Sequence, residues 1–448
     1  MTAAIDIKST AQAFQNHLES NTTTPWLKNI RAQSLSRFNE ITWPTRKTEA
    51  WKYTSLLPLT EQNFFATAAT ATTIDTAKRS TIGARICINE LDATRLVFIN
   101  GAFNAELSDT ASEATITLFS EANQTQQQLI SDNLGTAYRA GKHVFAELSA
   151  SLVDNGLLIQ IPANKVVSKP IHIVSYNTAT EAPQQISNRL LVIAETGSQA
   201  TLIEHNDSCH EALNTLNNQV TEVFIRANAK LQHIRLQLEH ESAIGINGLH
   251  VQQSRDSQYE NHLVTFGGKI KRNDLQVAFL EPNAYASLDG VFLAKHKQHI
   301  DNQTALDHIS PHCNSDEVYK GLITDSAKAV FNGRIHIHKD AQKTEAHLSN
   351  KNLLLSKQAE INTKPELEIY ADDVKCSHGA TVGQLDEKSL FYFQSRGIDQ
   401  ATAEGMLCFG FVNERITKIP SEPVQQFVTA RIADFFSDIK NIEALWSL

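Results

Sequence analysis

A long series of short, regularly spaced strands constrains the fold of this chain more than any other feature. Between residues 151 and 383, apolar and polar residues alternate in runs such as LLIQIP and PIHIVSY, which is typical of β-strands. Polar turn elements begin at Glu195, Ala227, Arg255 and Glu281, at separations of 32, 28 and 26 residues. The intervals hold no pattern long enough for a crossover helix, which leaves a sandwich, barrel, propeller or solenoid. A parallel β-helix fits the nearly even spacing, because each coil buries its apolar face only against a neighbouring coil.

The sequence before this region is mostly helical in pattern. Helices are predicted over Thr10–Glu19, Pro25–Glu40 and Gln124–Ser131, and the proline suits the first turn of the second helix. LVFINGAFNA, at Leu96–Ala105, predicts a hairpin whose turn is Asn-Gly. The low-complexity stretch Ala66–Thr81 has little to bury and is predicted to be a linker.

The sequence after residue 383 also favours helices. Asp386 and Asp399 are predicted N-caps, and Gly397 is a predicted helix terminator between them. A third helix, starting at Ser421, carries a wide apolar stripe: Val424, Phe427, Val428, Ile432, Phe435, Phe436 and Ile439. The stripe is wider than two neighbouring helices need, so we expect it to bind a protein partner. We therefore predict an N-terminal, mostly helical domain (1–145), a β-helix core (146–382) and a C-terminal helical domain (383–448).

Composition excludes some classes of function. The 448 residues carry a formal charge of -9, with a pI near 6.0, so the basic surface of a nucleic-acid-binding protein is not expected. No apolar run approaches the length of a membrane span, and the N-terminal sequence lacks the features of a signal peptide. Five scattered cysteines fit reduced thiols. A cytoplasmic protein without a membrane segment is therefore expected.

Candidate functional side chains are most concentrated between residues 365 and 397. Leu367 and Ile369 alternate with glutamates, which predicts a strand with one buried face and one wet face. Cys376 and His378 are two residues apart, so an extended backbone places both side chains on one side, within reach of one metal ion. A single Cys-x-His pair is no zinc signature, and on the pattern alone a buried cysteine beside a hydrogen-bonded histidine is the commoner explanation.

Other histidines offer weaker candidates for metal ligands. In GRIHIHKD, His336 and His338 share one strand face, but the sequence indicates no third ligand, and a solvated strand gives the same alternation. His308, His312 and Cys313 cluster in HISPHC, although the proline indicates a loop and the spacing matches no known zinc or cluster motif.

Three stretches carry a resemblance to a known family. RKTEAWKYTSL at residues 46–56, a run at 330–383 and DDVKCSHGATVGQLDEKSLFYFQSRGI at 372–398 resemble the SufB/SufD family, scaffold proteins of bacterial iron–sulfur cluster assembly. The first stretch, and Gly379 where SufB proteins have a glutamate, are similar to the SufD branch. The chain also lacks the cysteine-rich N-terminal motif of many SufB proteins. The similarity is weakest in the first forty residues and between Ala66 and Ala140.

The resemblance implies a right-handed parallel β-helix with helical regions at both ends, acting as a non-catalytic scaffold. It implies a SufBCD complex, in which one edge pairs with a SufB-like scaffold and the C-terminal helices bind a SufC-like ATPase. His378, with Cys376 second, is then expected to hold ferrous iron or a transient iron–sulfur cluster at the subunit interface. No tightly bound cofactor is expected in the isolated chain, whereas self-pairing of the exposed edge would permit a homodimer.

One alternative comes from a different functional class. Asp372 and Asp373 could bind calcium, or act as acid and base, in a β-helix lyase or hydrolase of acidic polysaccharides. The helical ends and the missing export signal argue against this function. A purely structural subunit, in which His378 only packs, is the third hypothesis.

Overall fold

The computed structural model describes residues 5–64, 76–109 and 111–437. Within these ranges, no helix is both long and apolar enough to cross a membrane. Helices lie at both ends of the chain: α1 (Ile7–Asn21), α2 (Lys28–Glu40), α3 (Leu57–Thr60), α4 (Thr76–Ile86), α5 (Gln124–Asn133), α6 (Val144–Ser151), α7 (Glu387–Ser395), α8 (Gln400–Ile416) and α9 (Glu422–Ser437).

Two stacked sheets form the centre of the molecule. Their strands are β1 (Thr94–Ile99), β2 (Ala102–Phe103), β3 (Thr115–Leu118), β4 (Gly156–Ile161), β5 (Ile171–Asn177), β6 (Gln184–Ile186), β7 (Arg189–Ala194), β8 (Gln199–Ser208), β9 (Thr215–Ile225), β10 (Lys230–Gln237), β11 (Ile244–Gln253), β12 (Gln258–Phe266), β13 (Ile270–Phe279), β14 (Tyr285–Ala294), β15 (His299–His308), β16 (Asn314–Ile323), β17 (Lys328–Ile337), β18 (Glu345–Leu354), β19 (Glu360–Ile369) and β20 (Lys375–Gly383). Sheet A has the order β2-β1-β5-β8-β10-β12-β14-β16-β18-β20, and sheet B the order β19-β17-β15-β13-β11-β9-β7-β4-β3, with β6 beside β9.

From β7 onward the chain alternates between the two sheets, and each strand pairs in parallel with the strand two positions further on. For example, β16 pairs with β18, and β18 pairs with β20. The predicted parallel β-helix flanked by helices is therefore confirmed.

The corners between the sheets explain the regular turn elements. The corners that lead from sheet B to sheet A, from β4 to β18, each have one residue in the left-handed backbone region, and these residues stack in a column: Asn164, Gly197, Asn228, Asp256, Asn283, His312 and Lys343. The N–H of Gly197 donates to the carbonyl of Ala227 at 3.0 Å, and the same bond repeats from coil to coil. Glycine, asparagine and aspartate tolerate this conformation best, which is why they recur at nearly even spacing.

The N-terminal helices cover the outer face of sheet B. α1, α2 and α6 pack with Trp51 against the apolar side chains of Leu216, Ile246 and Ile270. Trp51 is buried, with the Arg272 guanidinium 3.8 Å from its ring centre, whereas Tyr53 of the same motif is exposed.

Several N-terminal details test the expectations from sequence. The first two helices and the helix at α5 are confirmed, as is the Asn100-Gly101 hairpin, in which Ile99 pairs with Ala102. The predicted linker Ala66–Thr81 is wrong from Thr76 onward, where α4 begins; its residues 66–75 lie outside the described residues. The sheets extend upstream of the boundary drawn at residue 146, because β1 pairs in parallel with β5.

The C-terminal helices cover the outer face of sheet A. α7 and α8 have the predicted caps: the Asp386 carboxylate accepts from the Ser389 N–H, and that of Asp399 from the Thr402 N–H. The inference of a partner from the α9 stripe is wrong. Five residues of the stripe are buried in a cluster with sheet A side chains, namely Val424, Val428, Ile432, Phe435 and Phe436. The apolar surface of α9 that two neighbouring helices do not need therefore packs on sheet A of the same chain. The seventh residue of the predicted stripe, Ile439, lies beyond the described residues.

Candidate functional site

Cys376 and His378 lie on β20, the last strand of sheet A. In the strand register, Cys376 is opposite Ala346 of β18, and His378 is opposite Leu348. Ala346 and Leu348 are buried residues of the core between the two sheets. The two candidate ligands therefore belong to the interior-facing side of their strand, at the end of the solenoid.

The absence of a further described strand beyond β20 determines how exposed these two side chains are. Cys376 is half-buried and packs against the core, whereas His378 is exposed. Burial raises the pKa of the Cys376 thiol, so the thiolate is disfavoured in the isolated chain. A Cβ placed on Gly379, which faces the opposite side of the strand from His378, would meet no atom within 4 Å apart from its chain neighbours, so the outer face of β20 is open at this point.

The whole end of the solenoid is only partly covered. The strand β19 has no buried residue, so the predicted contrast between a buried face and a wet face is wrong for Leu367 and Ile369. The reason is that β19 is the terminal strand of sheet B among the described residues, so no described coil follows it. Large apolar side chains are exposed here, with Tyr370 62% and Val382 47% accessible. An open edge with exposed apolar groups is a surface suited to pairing with another chain.

Among the described residues, Cys376 and His378 do not belong to any group of three potential metal ligands. The HISPHC residues do not form such a group either. His308 is buried, its Nε2 lies 3.0 Å from the Ser315 hydroxyl, and its ring stacks on Phe279. Burial lowers the pKa of His308 to about 3. His312 occupies a left-handed corner, and Cys313 is a buried thiol whose pKa is raised by burial.

One group of three potential ligands does occur within the described ranges. It consists of Asp307 on β15 with His336 and His338 at β17, and their ligand atoms lie within 4.8 Å of one another. The sequence correctly placed the two histidines on one strand face, opposite the buried Ile335 and Ile337. It missed Asp307, which lies 29 residues upstream and is brought into register with His336 by coil stacking.

The two aspartates of the polysaccharide hypothesis lie at the last corner of the solenoid. Asp373 forms an ion pair with Lys343, and its backbone N–H donates to the Gln342 side chain at 2.9 Å. Its carbonyl accepts from the Lys343 N–H at 2.7 Å, which continues the corner column described above. These contacts give the Asp372-Asp373 turn a structural role.

A second exposed surface lies on α7, which has no buried residue. Phe391 is 71% exposed and Tyr392 is 55% exposed. The guanidinium of Arg396 donates to the Tyr392 hydroxyl at 3.0 Å. Aromatic side chains and arginine are enriched at protein interfaces.

Comparisons with known proteins agree along the chain. Residues 176–411 match the family profile described as "SUF system FeS cluster assembly, SufBD core domain", and residues 9–173 match "SufBD protein N-terminal region". The chain is 33% identical to the Escherichia coli protein named iron–sulfur cluster assembly protein SufD, covering 87% of this chain and 88% of that protein. It is 30% identical to an iron–sulfur cluster assembly SufBD family protein of Synechocystis, covering 94% of both. The Bacillus subtilis protein named SufD is 24% identical, over 95% of this chain and 98% of its own length.

Proposed function

Because the chain belongs to the SufBD family of iron–sulfur cluster assembly proteins, we propose that it is a non-catalytic scaffold subunit that assembles clusters together with a second scaffold and an ATPase. The second scaffold would be SufB-like and the ATPase SufC-like. The nascent cluster, or the ferrous iron that enters it, is the cargo of the complex. The comparisons favour this function over a polysaccharide enzyme, since both matched profiles describe SufBD proteins.

The observation that carries the proposal is the placement of His378 on an exposed terminal strand. His378 is the last described residue in an interior-facing column of side chains, and it shares its strand face with the half-buried Cys376 thiol. Imidazole and thiolate are suitable ligands for iron. The pair offers two protein ligands, so a partner strand that adds to β20 would supply the others. Cluster formation would then depend on assembly of the two scaffolds.

The raised pKa of Cys376 agrees with a metal site that is completed only when the partner scaffold binds. A thiol that stays protonated in the isolated chain binds iron weakly, because the thiolate is the metal ligand. Contact with a partner and a metal ion would lower the pKa by placing positive charge next to the sulfur. Metal binding would then release the thiol proton.

The surface proposed for the ATPase is α7, with Phe391 and Tyr392 at its centre. It replaces the α9 stripe, which is buried against sheet A. α7 lies directly after β20 in the chain, so movement of this helix can be transmitted to the candidate metal ligands over a short distance along the backbone. ATP-driven motion would in this way control access to His378.

The test is coexpression with the SufB-like scaffold and the SufC-like ATPase of the same organism, followed by anaerobic measurement of iron and acid-labile sulfide in the purified complex. We expect His378→Ala to leave assembly intact and to lower cluster content about tenfold or more, as expected for loss of a direct ligand. The matched control is His347→Ala, which removes an exposed histidine on the neighbouring strand whose ring bonds the outward Ser377 hydroxyl. Normal cluster content in a fully assembled His378→Ala complex would refute the proposed role of His378.

A further inference from the structure

The outer face of sheet B carries a second group of metal-binding side chains, separate from Cys376 and His378. Asp307 lies near the end of β15, His336 lies in β17 and His338 follows directly after it. Asp307 and His336 are register partners across the two strands, so coil stacking fixes their separation. The candidate pair on β20 belongs to the other sheet and faces the interior.

The distances among the three side chains fit a single metal ion. His338 Nε2 lies 2.8 Å from Asp307 Oδ1, and His336 Nδ1 lies 3.1 Å from the same oxygen. Adjacent ligands at right angles, each about 2.1 Å from a metal, are about 3 Å apart. Little movement of the side chains is therefore needed to place one ion between them.

The surroundings hold the ligands while leaving room for other ligands. Ile335 and Ile337 are fully buried and anchor β17 to the core. The two imidazole rings lie 4.2 Å apart, centre to centre, and Tyr370 meets the His336 ring edge-on at 5.5 Å. The ligand side chains remain 22% exposed at His336, 41% at His338 and 39% at Asp307, so solvent can reach the open coordination positions.

The local charges also favour a cation. Two imidazoles in their neutral, metal-binding form and one carboxylate carry one negative charge, which a divalent cation more than neutralises. Glu368 is the register partner of His336 on the next strand and adds a second carboxylate to this face. Arg334 lies 3.5 Å from Glu368 and offsets part of that charge.

We propose that Asp307, His336 and His338 form a binding site for a divalent first-row transition metal ion. Two imidazoles and one carboxylate on one side of an ion leave further positions for water or for a group from another molecule, and this ligand set suits iron and zinc. The site does not depend on the function proposed for His378, because it uses other side chains on the other sheet.

The experiment is a Zn2+ titration of the untagged full-length chain, in competition with a chromogenic chelator. All variants are made in a Cys376→Ala/His378→Ala background, which removes the candidate ligands on β20. The test variants are His336→Ala, His338→Ala and the nearly isosteric Asp307→Asn. The matched control is His296→Ala, which removes a half-exposed histidine that pairs with a single carboxylate, Glu241, at 2.8 Å.

We expect one equivalent of Zn2+ to bind in the background chain and in the His296→Ala control. Each test variant should bind about 100-fold more weakly, since even indirect supports of a metal site contribute 10- to 100-fold. Crystals soaked in Zn2+ should give an anomalous peak between the three side chains. Failure of the background chain to bind Zn2+, or equal binding by the test variants and the control, would overturn the proposal; circular dichroism of every variant establishes that it is folded.

Discussion

His378 is the register partner of Leu348, so the two residues occupy successive positions in one interior-facing column of the solenoid. Leu348 is buried, because β20 covers it. His378 is exposed, because no described strand covers β20 in turn. One structural position thus serves as core in one coil and as an accessible ligand in the next.

The Cys376 thiol should react slowly with alkylating reagents in the isolated chain. Burial raises its pKa, which lowers the thiolate fraction at neutral pH by about tenfold per pKa unit. We expect iodoacetamide to modify Cys376 more slowly than the exposed Cys87 at pH 7.5, with a rate that still rises above pH 9. Mass spectrometry of timed samples measures both rates in one experiment; equal rates below pH 8 would contradict the burial argument.

Val382→Lys should weaken pairing with the second scaffold. Val382 is an exposed apolar residue of β20, and burying such a side chain in an interface contributes about 1.5–3 kcal/mol. Its replacement by a charged residue should raise the Kd for the SufB-like partner about tenfold or more. Val166→Lys, at an exposed valine outside the terminal strands, is the control. Equal Kd values in calorimetric titrations would exclude this edge from the interface.

Phe391→Ala should weaken binding of the SufC-like ATPase. Phe391 is the most exposed of the large apolar side chains on α7, so its removal should leave the fold unchanged. Loss of one anchoring aromatic residue is expected to raise the Kd about tenfold. Leu57→Ala removes a comparably exposed side chain in α3 and should leave the Kd unchanged. If both variants bind the ATPase like the unmodified chain, α7 is not the docking surface.

The stability of the fold should fall between pH 5 and pH 8 because of Glu317. This carboxyl group is buried on β16 and accepts from the Thr304 hydroxyl at 2.6 Å. Burial raises its pKa to about 8, above the ordinary value of 4.5, so the folded chain binds the proton more tightly than the unfolded chain. Protonation of Glu317 therefore stabilises the fold fully below pH 4.5, and this stabilisation is lost as the pH rises through about 8.

Glu317→Gln should remove that part of the pH dependence, because the amide mimics the protonated carboxyl group. The Tm of the variant relative to the unmodified chain should therefore rise by at least about 2 °C from pH 5 to pH 8. Glu121→Gln, at an exposed glutamate, should not change the slope of Tm with pH. Parallel Tm curves for the Glu317→Gln variant and the unmodified chain would show that Glu317 is not protonated in the fold.

The features that the sequence predicted correctly depend on local interactions. The caps at Asp386 and Asp399 need only a carboxylate and an N–H three residues later. The Asn100-Gly101 turn needs two residues that tolerate a left-handed backbone. Cys376 and His378 were expected on one side of a strand because alternation alone determines which residues share a face.

Longer-range features could not be predicted in this way. The apolar stripe of α9 is visible in the sequence, but its width alone does not distinguish a partner from the outer face of sheet A. The sequence indicated no third ligand for the His336–His338 pair, because Asp307 lies 29 residues before His336 in the chain.

The sequence by itself determined the alternating strands, the corners that tolerate left-handed residues and the helix caps, since each results from interactions among residues close in the chain. Only the tertiary structure decided that Asp307 meets His336, that α9 packs on the outer face of sheet A and that no described strand pairs with the outer edge of β20. The physical reason is that parallel stacking joins residues one coil apart, and the lateral partner of a residue depends on the register of the whole coil.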